Sequence, residues 1–257
     1  MPTFKRWTCC LWIICLCLPM LATAESTAQY LTVIDRQEDG LLLCKTLDFS
    51  FNEIYVRPVE EISASKYQAI QEAGIVQIHG NASYRVGSNR VQEAEKIEIP
   101  VMYALLDAID RIDIEANKVN TYVSNIGMVW LTMPEVYPVD DGIRELAQAG
   151  ARGMRGIRFA PHLLEENQEK NEIALSAENI EELSYAYGYV HKLDGNQLMI
   201  EVRSAKSISG KEDAKPIQTF TITESTLHLD HFEEGRELSV IYDEETREVL
   251  AVFYYNG

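Results

Sequence analysis

Period-two alternation, interrupted by short polar turns, runs from Tyr185 to Tyr255. That pattern leaves little room for anything but a compact antiparallel β unit. Val190 to Val202 reads as a hairpin, with Asp194-Gly195-Asn196 supplying residues that tolerate positive φ at its turn. Phe220 and Ile222 alternate with threonines in a third strand. Thr223 to Glu234 breaks the alternation and predicts one short helical or irregular turn, which Gly235 ends. Leu238 to Tyr242 returns to period two, and Asp243 to Arg247 is a polar turn. The last strand, Val249 to Tyr254, is apolar on both sides. Val249, Ala251 and Phe253 fall on one, and Leu250, Val252 and Tyr254 on the other. A strand of that kind is expected to pack on both faces, against a neighbouring unit as well as its own.

The order of three strands, a helical turn and two strands is that of a small five-stranded closed barrel of the OB type. Three local patterns carry a family likeness: Gly188-Tyr189-Val190, Asp194-Gly195-Asn196 and Gly235-Arg236-Glu237-Leu238-Ser239-Val240. Through them the C-terminal part resembles small bacterial periplasmic OB-like β-barrel domains of unknown function. The resemblance implies the fold and brings no active site with it.

Two upstream stretches repeat the plan. Ala108-Ile109-Asp110-Arg111 echoes Val33-Ile34-Asp35-Arg36, and Gln148-Ala149-Gly150 echoes Glu72-Ala73-Gly74. Met128 to Leu131 matches Ile54 to Val56. A recurrence at roughly 75 residues argues for tandem units that each need a packed neighbour. The expected fold is mostly β: three related OB-like barrels, each with one short helix between strands three and four. The expected divisions are a signal peptide at 1–24 and units at 25–104, 105–160 and 183–257. Residues 161–182 form an acidic linker with the closing strand of the second unit at Ile173 to Leu175. In the first unit the helix is Ser65 to Ala73, and in the second it is Asp140 to Ala149.

Lys5 and Arg6, the apolar run Trp7 to Leu21 and Ala22-Thr23-Ala24 have the form of a cleavable secretory leader. The sequence therefore predicts a periplasmic or secreted protein, free of the membrane once the leader is removed. Of the five cysteines only Cys44 lies outside the leader, in Leu41-Leu42-Leu43-Cys44, which reads as a buried core thiol. The formal charge of −17 argues against nucleic acid as a partner.

The chain contains no nucleophile elbow, zincin, phosphate-loop or dithiol motif outside the leader, and no cofactor is expected. One basic run stands out, Gly150 to Arg158, where Arg152, Arg155 and Arg158 alternate with glycines and could face an anion. Trp130 in the same unit is a candidate stacking surface. That unit is close to charge balance in an otherwise acidic chain, so it is the expected binding unit. His228, Asp230 and His231 form the one metal-like cluster, though their spacing fits no standard pattern. The leading expectation is a binding or scaffolding module for a protein, a glycan or a small anion. The alternatives are a hydrolase using carboxylates assembled by the fold, and a metal sensor or carrier built on 228–231.

Overall fold

The computed structural model describes residues 29–80, 83–86, 89–106, 111–137, 156–210, 216–223, 225–226 and 232–254. It is mostly β, as the alternation predicts. Strands β1 (Gln29–Arg36), β2 (Leu42–Thr46) and β3 (Glu53–Pro58) form an antiparallel meander. Helix α1 (Ala64–Ala73) then leads into β4 (Ile75–His79), which pairs antiparallel with β1. β5 (Ser83–Val86) and β6 (Asn89–Ala94) make a hairpin, and β6 lies parallel to β3. β7 (Lys96–Glu98) follows after Glu95 and pairs with β4. The hydrogen-bonded order of this seven-stranded sheet is β5-β6-β3-β2-β1-β4-β7.

The next unit repeats those pairings. β8 (Met102–Leu105) lies against β10 (Lys118–Val123), with the short β9 (Arg111–Asp113) paired to β10 as well. β10 pairs with β11 (Gly127–Thr132), and β11 lies parallel to the start of β13 (Glu172–Asp194). β12 (Gly156–Asn167) pairs with both β13 and β8. The far half of β13 then opens the last unit. It pairs with β14 (Gln197–Lys206) and β16 (Glu237–Tyr242). β14 pairs with β15 (Ile217–Thr221), and β16 with β17 (Val249–Tyr254). A parallel bridge from Thr221 to Glu248 joins the third strand to the fifth.

The helix has simple local causes. The Ser63 hydroxyl accepts a hydrogen bond from the Lys66 amide at its start. Gly74 at φ 70° ends it, donating its amide to the Ile70 carbonyl. Ile70 and Ala73 are buried, and Tyr67 packs on the first core. A Cβ at Gly74 would come within 3.0 Å of Leu163, so the helix end is seated directly on β12 of the middle unit. The middle unit of the chain shares its core with the first, since Tyr30, Leu47, Phe51 and Ile75 join Met102, Val119, Leu131 and Phe159. Cys44 is fully buried, and burial pushes its thiol up to about 12, as expected of an inert core residue.

Two expectations need correction. Residues 161–182 are not a linker with a short closing strand at Ile173 to Leu175 alone; that strand is present but is the start of a much longer one, and the segment lies largely within β12 and β13. Ile173, Leu175 and Ala177 alternate inward there while Glu165, Glu178 and Glu181 are exposed and Glu166, Glu172 and Glu182 half-buried, so the density of charge masked a strand period. The two faces of β17 also divide differently. Val249 joins Val252 and Tyr254 on the unit's own core, whereas Leu250, Ala251 and Phe253 meet Leu105, Tyr122 and Tyr185 at the boundary with the middle unit. The register shift between Ile241 and Tyr242 exchanges the sides. The expected helix at 140–149 lies outside the described residues. In the last unit, the described parts of 223–235 form turns, including Thr226 amide to Thr223 carbonyl.

Glu244, in the β16–β17 turn, holds the chain that follows β14. It accepts from the Ser207 and Ser209 hydroxyls, from the Ser209 amide at 3.1 Å and from the Ser184 hydroxyl at 3.1 Å. The Ser207 hydroxyl bond leads the causes that hold its carboxyl down to about 2. A lowered folded-state value means that this stabilisation is complete above the ordinary glutamate range and is lost as pH falls through about 2. Glu244→Gln should speed amide exchange at Ser207–Gly210 at neutral pH, with the rest of the chain unchanged. Unaltered exchange there would show that the turn does not depend on the carboxylate.

Candidate functional site

Trp130 sits on the outer side of β11, one residue before the buried Leu131. Its antiparallel partner is Asn120 on β10 and its parallel partner is Ala174 on β13. Because alanine is small, the indole borders a depression rather than a packed ridge. The resulting cleft has a volume of about 190 Å³. Asp113 and Lys118 line it from the β9–β10 side, and Glu165, Asn167, Glu172 and Ala174 from the β12–β13 side. The Arg111 guanidinium lies 4.9 Å from the indole centroid and 3.7 Å from the Glu172 carboxylate.

Both loops that frame the cleft are held by their own side chains. Asn117 and Asn171 take positive φ of 51° and 54°, a conformation that asparagine tolerates better than most residues. Asp113 accepts from the Ala116 amide at 3.0 Å, and Asn167 accepts from the Lys170 amide at 3.0 Å. Asn117 donates to the Met133 carbonyl at 2.8 Å. The cleft therefore offers an aromatic surface, carboxylate acceptors, an ammonium donor and an amide that does both, on a framework fixed in advance.

Of the residues singled out from sequence, Trp130 lines this cleft and Arg158 does not. Arg158 stands opposite Glu181 across the β12–β13 pair, and the two form a hydrogen-bonded ion pair at the surface. Partial burial acts to lower the Arg158 pKa, but Glu181 outweighs it and holds the guanidinium above its ordinary value. Trp130 pairs with Ala174 and Arg158 with Glu181, seven residues further along β13 and so roughly 23 Å of strand away. The two candidates do not share a site. Arg152, Arg155, His228, Asp230 and His231 lie outside the described residues. Among the described residues no group of three or more His, Cys, Asp or Glu is placed to hold a metal ion. No described helix is long and apolar enough to cross a membrane.

A second cleft, of about 580 Å³, opens in the first unit beside Tyr55 and Arg57 on β3. The sequence reading missed it. The signal was present in the match of Ile54–Val56 to Met128–Leu131, which sets Tyr55 against Trp130. No protein-family model matches the chain, and no curated protein or solved structure does.

Proposed function

We propose that the chain is an exported envelope protein that binds rather than catalyses, and that its ligand seat is the Trp130 cleft of the middle unit. The architecture we propose is three tandem OB-like barrels. Its support is the strand pairing: in each unit the first strand pairs with the second and fourth, and the third lies parallel to the fifth. Barrels of that type bind oligonucleotides and oligosaccharides on the face of strands two and three, between the loops that follow strands one and four. The Trp130 cleft has that position. Export rests on the leader pattern at 1–24.

The ligand we propose is a neutral glycan. The observation that carries this is the lining: Trp130 beside three carboxylates, one ammonium and one amide. Sugar hydroxyls both donate and accept, so they use the whole set, while the sugar's C–H face covers an indole. Phosphates and other anions would meet Asp113, Glu165 and Glu172. A basic peptide would bring a second cation against Arg111, which lies over the indole and already pairs with Glu172, whereas a neutral sugar sharing the ring meets no such repulsion.

Trp130→Ala should weaken retention of neutral oligosaccharides by about tenfold or more, as loss of a central aromatic contact does. The melting temperature should stay close to that of the parent, because the indole is only half-buried. A glycan array carrying neutral and anionic sugars, with basic peptides as a separate channel, makes the measurement. Capture of peptides alone, or of anionic sugars alone, would contradict the neutral-glycan assignment. Release of shortened products would move the protein to the hydrolase alternative.

A further inference from the structure

We infer that the first unit carries a second copy of the Trp130 seat, built on Tyr55, and that it takes the same class of ligand, a neutral oligosaccharide. This rests on the glycan reading of the Trp130 cleft.

The correspondence follows from strand register. Leu42 pairs with Val56 in the first unit, and Val119 with Leu131 in the second; all four are buried. These pairs align the two units. Tyr55 and Trp130, each one residue earlier on the third strand, then occupy one position, facing outward and half-buried. Their parallel partners on the fifth strand are Val91 and Ala174. Two residues before those, on the same face of that strand, stand Asn89 and Glu172. Leu41 and Lys118 immediately precede the buried Leu42 and Val119. The segments before them supply Asp39, in a turn three residues before Leu42, and Asp113, at the end of β9 six residues before Val119. Tyr55, Val91, Asn89, Leu41 and Asp39 line the first cleft, and Trp130, Ala174, Glu172, Lys118 and Asp113 line the second. Two unrelated surface hollows have no reason to recur at four register-matched positions drawn from three separate segments.

The chemistry recurs as well. Glu38 and Asp39 supply acceptors, Arg57 supplies donors, and the Gln37 and Asn89 amides do both around the tyrosine ring. This loop too is set in advance. The Leu41 amide donates to Asp39 at 3.2 Å, the Gln37 side chain to Asp35 at 3.1 Å, and Gly40 turns the chain at φ 82°. The larger volume suits more of a sugar chain than the Trp130 cleft holds.

The third unit provides an internal control. Phe220 pairs with Leu198, both fully buried, and the residue before Phe220 is the exposed Thr219. No aromatic ring stands at that position, so two seats are expected in a chain of three units.

Titration of the full chain with cellohexaose, chitohexaose and maltohexaose, by calorimetry and by NMR, tests this. At least one of the three should bind with two equivalents per chain. Tyr55→Ala and Trp130→Ala should each leave one equivalent, and the double variant none, while Thr219→Ala should leave both. If Tyr55→Ala lowers the melting temperature, the pair Asp39→Asn and Arg57→Gln provides the same comparison at the rim. One equivalent, abolished by Trp130→Ala and untouched by the first-unit variants, would overturn this inference and leave the Trp130 seat standing. Two equivalents that both survive Tyr55→Ala and the rim variants would also overturn it. No binding of any of the three sugars would overturn both the seat and its copy.

Discussion

Gly188→Ala is expected to destabilise the protein by about 3 kcal/mol, near the upper end for added volume in a packed site. A Cβ built there would lie 2.1 Å from the Glu201 carbonyl oxygen and 2.9 Å from its carbon. Both are backbone atoms, so no side-chain rotation relieves the clash. Ile200 closes the remaining side at 3.0 Å. The cause is the register shift between Tyr187 and Gly188, which presses β13 against β14. Gly195→Ala is the matched control. It sits at the hairpin turn with φ 61° and nothing within 4 Å, so only the left-handed conformation resists a side chain, at about 1 kcal/mol. Urea midpoints of the two variants measure the difference. Equal losses would refute a steric role for the bulge.

Tyr185→Ala is expected to cost about 3–5 kcal/mol and to weaken two units at once. Tyr185 is 1% exposed and belongs to the small cluster that joins Leu105 of the middle unit to Ile241, Ala251 and Phe253 of the last. Tyr122 meets Phe253 edge-on in the same junction, with centroids 6.1 Å apart. A large ring removed from a closed site leaves a cavity that neither unit can fill alone. Trp7 and Trp12 lie within residues 1–24, so in a protein produced from Glu25 onward the fluorescence of Trp130 reports the middle unit. Its unfolding midpoint should fall with that of the far-ultraviolet signal. A Trp130 midpoint that stayed in place while the β signal dropped would mean that the two units unfold independently.

What could be read from the sequence was whatever local chemistry determines. Gly74 and the Asp194-Gly195 turn act within a few residues of themselves; the helix expected at 65–73 appeared as Ala64–Ala73, capped by a Ser63 that the sequence reading did not single out, and the hairpin at 190–202 appeared where it was expected. The glutamates of 161–182 read as a solvated linker because their charge hides the strand period of a local hairpin, the end of β12 paired with the start of β13. Features set by a distant partner stayed hidden. Arg158 was visible as a cation, but its partner Glu181 lies 23 residues on. Trp130 was legible as a large aromatic in a strand. The groups that turn it into a cleft come from β9, β10, β12 and β13, and no pattern in the sequence marks them as neighbours. Tyr55 drew no notice because a tyrosine in a strand is ordinary until register sets it against Trp130.

β13 runs unbroken from Glu172 to Asp194, serving the middle unit with its first half and the last unit with its second. The chain thus passes between these two units without a hinge. A ligand or partner long enough to touch both meets surfaces whose mutual orientation was settled when the protein folded, so docking does not have to freeze a swinging joint. The same continuity sets a mechanical property. Tension transmitted from one unit to the other must travel along a single β backbone, paired with β12 through the junction and with strands on both sides beyond it, and the pair should yield as one piece rather than bend.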